Sequence, residues 1–186
     1  MKFSSTSLPG VRLVRLELRE DDRGSFARMW CTDEFKTATG MGPMVQASLS
    51  FNTRAGTLRG LHMQRSPHEE SKVVSCVRGR MYDVVVDMRP RSSTYGMWTS
   101  FELSGLDGLM VYVPKGCAHG FQTLEPDTVV QYFMDESYHP DSAVGYRWDD
   151  PTLGIRWPIA DPIMSSRDAN YPFLNPNAPQ RRDDMV

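Results

Sequence analysis

Lys72-Val-Val-Ser-Cys-Val-Arg-Gly-Arg-Met-Tyr-Asp-Val-Val-Val-Asp-Met88 is the stretch that decides the fold. Two Val-rich runs, Lys72 to Val77 and Met81 to Met88, flank Arg78-Gly79, a turn signal. Strand geometry sends alternate side chains to opposite faces, so Asp83 and Asp87 share one side of the second run. Lys72 opens the first run. Polar residues that interrupt an otherwise apolar inward row are candidates for a site.

The same pattern continues outward. Leu13 to Leu18 alternates as a strand would, and short β-type runs follow at Trp98 to Leu103, Leu109 to Val113 and Thr128 to Phe133. Turn residues separate them: Arg89-Pro90, Gly105, Pro114-Lys115-Gly116 and Glu125-Pro126-Asp127. Many short strands at this spacing predict an all-β sandwich or barrel of the jelly-roll kind. Helix signals are few: Thr32 to Thr37 reads as one short helix and Ser165 to Asp168 as one turn. The stretch from Asn175 to Val186 is rich in Pro, Asn and charge and reads as a surface tail. The expected organisation is one domain over residues 1–174 and a tail over 175–186.

Bulk properties narrow the classes of function. The chain has 186 residues, a 40% hydrophobic fraction and a net charge of -2, which suits one ordinary globular domain. So small a charge argues against nucleic acid or a membrane surface as partner. No apolar run reaches membrane-spanning length, and Met1 to Pro9 lacks the apolar middle of a secretory signal. Cys31, Cys76 and Cys117 are widely spaced, which fits reduced thiols in the cytoplasm better than a disulfide framework.

The histidines carry the chemistry. There are four: His62, His68, His119 and His139. The segment Gly108-Leu-Met-Val-Tyr-Val-Pro-Lys-Gly-Cys-Ala-His119-Gly-Phe resembles the second signature of cupins, with Thr123 in place of its last Asn. Gly56-Thr-Leu-Arg-Gly-Leu-His62-Met-Gln64 resembles only half of the first, because Gln64 stands where a metal-ligand His belongs. A cupin metal shell uses three His and a carboxylate, and losing one ligand weakens it. Glu69 could still supply a carboxylate. The reading favoured is a site without metal or other cofactor, in which His transfers protons.

The order of several further segments is that of a known family. Asp22-Arg23-Gly-Ser-Phe26, the Gly56 to Gln64 segment, Lys72-Val-Val, Tyr82 to Asp87, Ser93-Thr-Tyr-Gly-Met-Trp98, Pro114 to Phe121, Arg147-Trp-Asp-Asp-Pro151, Ile155-Arg-Trp-Pro158 and Ser165-Ser-Arg-Asp168 resemble dTDP-4-dehydrorhamnose 3,5-epimerases. The resemblance runs from about Gly10 to Leu174. It implies a double-stranded β-helix, the cupin jelly roll, with short peripheral helices. It also implies a cytoplasmic homodimer acting on a nucleotide-linked 4-keto-6-deoxyhexose, inverting C3 and C5. Under it His62 is the base, Asp168 its carboxylate partner, Lys72 the cation near the keto oxygen and Tyr132 the acid on the opposite face. His119 and Asp83 form the supporting pair. Arg59 and Arg23 lie near the diphosphate, the latter reaching the partner's site, and Phe26, Gln46 and Tyr138 line the base and ribose region.

Each residue also has an ordinary reading by itself. Lys72 could be a solvated strand end, Asp83 and Asp87 sheet-surface charges, and Tyr132 a core tyrosine. Asp168 could cap a helix, and Arg23 could belong to a charged turn. The chain departs from the common family pattern at Arg28, at Phe133 and over Gln46 to Asn52. These departures leave open the nucleotide and whether C3, C5 or both are inverted. Alternatives are a 3-only or 5-only epimerase, a 3,4-ketoisomerase, a non-catalytic sugar-binding module and a metal-dependent cupin.

Overall fold

The computed structural model describes residues 1–105 and 107–174. The strands are β1 (Lys2–Ser5), β2 (Arg12–Arg15), β3 (Arg19–Asp21), β4 (Gly24–Phe26), β5 (Gln46–Asn52), β6 (Leu58–Gln64) and β7 (Lys72–Arg78). They continue as β8 (Arg80–Asp87), β9 (Trp98–Ser104), β10 (Leu109–Val113), β11 (Cys117–Thr123), β12 (Thr128–Met134) and β13 (Ala143–Gly145). Two short helices, α1 (Thr32–Thr39) and α2 (Ser166–Ala169), complete the described elements. One sheet runs β1-β2-β10-β7-β12-β5 and the other β13-β6-β11-β8-β9, while β3 and β4 form a separate hairpin. The fold is the expected all-β jelly roll with short peripheral helices.

The Val runs explain the layering. Arg78-Gly79 carries the chain across from one sheet to the other, because β7 lies in the six-stranded sheet and β8 in the five-stranded one. Val74, Cys76, Met81, Val85, Val111, Phe121 and Val130 meet between the sheets. The opposite faces are covered too. Val73, Met110 and Phe133 pack with Phe35 of α1, and Val84 and Val86 pack with Leu61, Met63 and Leu153. A strand buried on both faces reads as a continuous apolar run, which is why β7 and β8 stand out in the sequence.

Some boundaries differ from the expectation. The alternation over Leu13 to Leu18 forms a strand only over Arg12–Arg15, while α1 extends to Thr39 before Gly40 closes it. Asp87 is fully buried, and its carboxylate accepts from Arg89, Ser92 and Thr94. It therefore braces the loop after β8 and takes no part in a site. The tail over 175–186 lies outside the described residues. No helix among the described residues is long and apolar enough to cross a membrane.

Candidate active site

Between the sheets, at one end, opens a cleft of about 540 Å³. Gln46, Ser48, Arg59, His62, Lys72, His119, Tyr132 and Asp168 line it. A continuation of the same cleft shares Gln46, His62 and Lys72, and adds Gln64, Glu70, Tyr138 and Arg167. His62 and His119 come from the five-stranded sheet, Lys72, Tyr132 and Gln46 from the six-stranded one. The cleft is thus walled by reactive groups from two opposed sheets.

A bulge sets the wall on β6. His119 pairs with His62, yet Phe121 pairs with Arg59, so the register shifts around Gly60. Arg59 and His62 are an odd number of residues apart and would otherwise face opposite ways. The extra residue turns both into the cleft, which is what bulges do beside functional sites. Gly60 has φ 132, and a Cβ there would stand 2.5 Å from the Gly120 Cα. Only glycine fits this crossing.

His62 Nε2 lies 2.8 Å from Asp168 Oδ1. The Asp168 side chain is only 8% exposed, and that of His62 41%. Burial by itself raises the Asp168 carboxyl pKa, but the bond from His62, its charge and the Gly60 N–H prevail and hold it below the usual 3.8. Asp168 does not act as the cap of α2. Ser165 does, accepting from the Asp168 N–H at 3.1 Å. The Tyr171 ring sits edge-on to His62 with centroids 5.7 Å apart. It fills the space over Gly145, where a Cβ would meet its Cζ at 2.2 Å.

Across the cleft, Tyr132 stands edge-on to His119 with centroids 6.0 Å apart. Burial, and then the negative charge of Asp83, push its phenol pKa far above 10.0, against a smaller opposing effect of Arg59. Tyr132 therefore keeps its proton at neutral pH. His119 Nε2 and Asp83 Oδ1 are 2.6 Å apart and both side chains are buried, so Asp83 is no surface charge. Lys72 is not a solvated strand end either. Its ammonium pairs with Glu70 Oε1 at 2.8 Å, with side chains 10% and 7% exposed. The second Glu70 oxygen is buried and has no hydrogen-bond partner.

Gln64 accounts for the broken cupin signature. Its amide donates to the His68 and Ser137 carbonyls and accepts from the His139 N–H. The side chain at the ligand position is thus spent on the backbone of two loops, and Glu69 does not line the cleft.

The nucleotide-side residues are partly assembled. Arg59 Nε donates to Asn52 Oδ1 at 2.9 Å, and Gln46 Oε1 accepts from the Tyr138 N–H at 3.1 Å. Arg23 and Phe26 do not line this cleft. They sit on the separate β3–β4 hairpin, where the Arg23 side chain is 89% exposed and pairs with Asp21. Arg23 is thus a charged turn within its own chain. Glu70, Arg167 and Tyr171 were not among the expected site residues, and each becomes part of the cleft or its support only through the fold. Arg167 lies against Tyr138 and Tyr171, which raise its pKa in that order. Two departures from the family pattern fall away from the cleft: Arg28 pairs with Glu34, and Phe133 packs beside Trp30. The third departure, the stretch Gln46 to Asn52, borders the cleft through Gln46, Ser48, Leu49, Ser50 and Phe51.

Residues 5–176 match the family model described as dTDP-4-dehydrorhamnose 3,5-epimerase. A dTDP-4-dehydrorhamnose 3,5-epimerase of Sinorhizobium fredii is 40% identical, over 94% of this chain and 90% of its own. A dTDP-4-dehydrorhamnose 3-epimerase of Streptomyces niveus is 36% identical, over 94% of this chain and 84% of its own. The crystal structure of a dTDP-4-dehydrorhamnose 3,5-epimerase from Bacillus anthracis, with TDP and PPi bound, superposes with a TM-score of 0.89. It is 38% identical and covers 93% of this chain and 99% of that one. With a matching model over nearly the whole chain and relatives of this identity, the chain belongs to the dTDP-4-dehydrorhamnose 3,5-epimerase family.

Proposed function

We propose that the chain inverts C3 and C5 of a nucleotide-linked 4-keto-6-deoxyhexose of the dTDP-4-dehydrorhamnose type. The observation that carries this reading is the opposition of the His62–Asp168 pair to Tyr132 across one cleft. A 4-ketone acidifies the C–H bonds on either side of it. A carboxylate only accepts hydrogen bonds, so the His62 nitrogen bonded to Asp168 carries the proton and the other nitrogen is free to take one. His62 removes the proton from C3 or C5, and the electron pair moves onto the keto oxygen. Lys72 and the His119–Asp83 pair stabilise that enolate. Tyr132 then delivers its proton to the carbon from the opposite face, which inverts the centre. His62 loses its proton to solvent and Tyr132 regains one. No step requires a cofactor.

Arg59 takes diphosphate oxygens, since a guanidinium fork matches them. Gln46 and Tyr138 border the nucleoside, and Arg167 joins them. Phe26 is 72% exposed, Leu49 52% and Phe51 65%. Such apolar exposure on a hairpin and an edge strand supports a homodimer in which Arg23 and Phe26 serve the neighbouring cleft. Three free cysteines support a cytoplasmic setting.

The test is incubation in heavy water with a panel of 4-keto-6-deoxy nucleotide sugars, read by NMR. Deuterium at C3 and C5 with inverted product is expected. Exchange with none of the sugars overturns the reading. The Streptomyces niveus relative, named a 3-epimerase, favours one alternative, and exchange at C3 alone would establish it. A 3-keto product would mean a 3,4-ketoisomerase.

A further inference from the structure

One cluster of donors has no part in the proposed proton transfers. His68, Glu136 and His139 each offer a ligand atom, and these atoms lie within 4.8 Å of one another. The two imidazoles stack with centroids 3.5 Å apart and planes 10° from parallel. His139 Nε2 stands 3.6 Å from Glu136 Oε1. All three residues are half-buried.

The backbone that presents them is held on both sides. Gln64 donates to the His68 and Ser137 carbonyls and accepts from the His139 N–H. The His68 N–H bonds the Arg65 carbonyl, and the His139 carbonyl accepts from Ser142 and Ala143. Gln46 holds the intervening Tyr138 N–H. The three donors therefore project from a braced frame.

We propose that His68, Glu136 and His139 bind a late first-row divalent cation, zinc being the best match, at the rim of the cleft. Two imidazoles and one carboxylate suit zinc rather than magnesium or calcium, which prefer all-oxygen shells. Ligand bonds of about 2.0–2.2 Å require the donor atoms to draw closer together than their present spread, which reaches up to 4.8 Å. Three protein ligands leave a fourth position to water. The site is separate from the proton-transfer groups. Its consequence is to tie the loop after β6 to the loop after β12, which carries Tyr138. The residue that breaks the cupin ligand set, Gln64, is the one that frames this second set.

The test is calorimetric titration of chelator-stripped full-length protein with zinc chloride and, separately, magnesium chloride. One zinc per chain is expected, with no magnesium heat. His68→Ala and His139→Ala should each weaken zinc binding by about tenfold or more. Both variants should keep metal-free epimerase turnover and the unliganded melting temperature, which separates loss of the site from loss of the fold. Absence of zinc binding overturns the proposal. So does zinc binding of equal strength in both variants, which would place the ion elsewhere, for example on Cys31 or on His62.

Discussion

At the residue scale the His62–Asp168 pair and Tyr132 divide the work, and substitution should separate their parts. His62→Ala removes the base and should lower turnover by about 10²–10⁴-fold or more, with loss of deuterium wash-in. Tyr132→Phe removes the acid but leaves the base. Wash-in with retention should then persist while inverted product falls by about 10²–10⁴-fold. Asp168→Asn keeps a side chain of the same shape and should cost less than loss of His62. The same pair has a pH signature. Folding lowers the Asp168 pKa below 3.8, so its contribution to stability is complete above that value. It is lost as the pH falls through the lower folded value, because the unfolded chain binds the proton first. Thermal melts across the acid range should show a shallower acid decline in Asp168→Asn than in the parent. His62 was legible as a candidate from its segment. Glu70 was not, because nothing local separates it from its neighbour Glu69, the one considered as a carboxylate ligand, until Lys72 turns inward beside Glu70.

At the element scale the β6 bulge and the α2 cap position the chemistry. Gly60→Ala would force a Cβ against the Gly120 backbone at 2.5 Å. The expected result is loss of the bulge and of most turnover, with a lower melting temperature, since a backbone clash cannot be relieved by a rotamer change. Ser165→Ala removes the α2 cap at a cost of about 1 kcal/mol. It should also lower kcat, because the capped N–H belongs to Asp168. The Val-rich β7 and β8 were legible because both their faces are buried. β6 and β11 were not marked as strands, because Gly60, His62, His119 and Gly120 interrupt any β-branched run. β5 is legible only in hindsight, for its pattern is reversed: Gln46, Ser48 and Ser50 are half-buried, while the apolar Ala47, Leu49 and Phe51 are exposed.

At the scale of the whole molecule that reversed strand bears on assembly. β5 is the edge of its sheet, and an exposed apolar edge is a hazard unless covered. If β5 is covered in the proposed homodimer, Leu49→Glu and Phe51→Glu together should shift that dimer to monomer by light scattering. If Arg23 and Phe26 serve the neighbouring cleft, Arg23→Ala should weaken nucleotide-sugar binding although Arg23 does not line the cleft of its own chain.

The family resemblance singled out His62 and Tyr132; the sequence by itself determined that the chain is strand-rich and that Gln64 breaks the cupin ligand set. These are local properties: alternation, turn residues and motif spacing act over a few residues. Only the tertiary structure decided which side chains meet. His62 and Asp168 are 106 positions apart, and their contact depends on β6 being paired in one register and α2 being docked beside it. Asp83 and Asp87 look alike in the local strand pattern; only the resemblance set Asp83 apart, and the fold gives it to His119 and Asp87 to Arg89. Pairing between distant strands is set by packing of the whole core, so no local pattern could distinguish them.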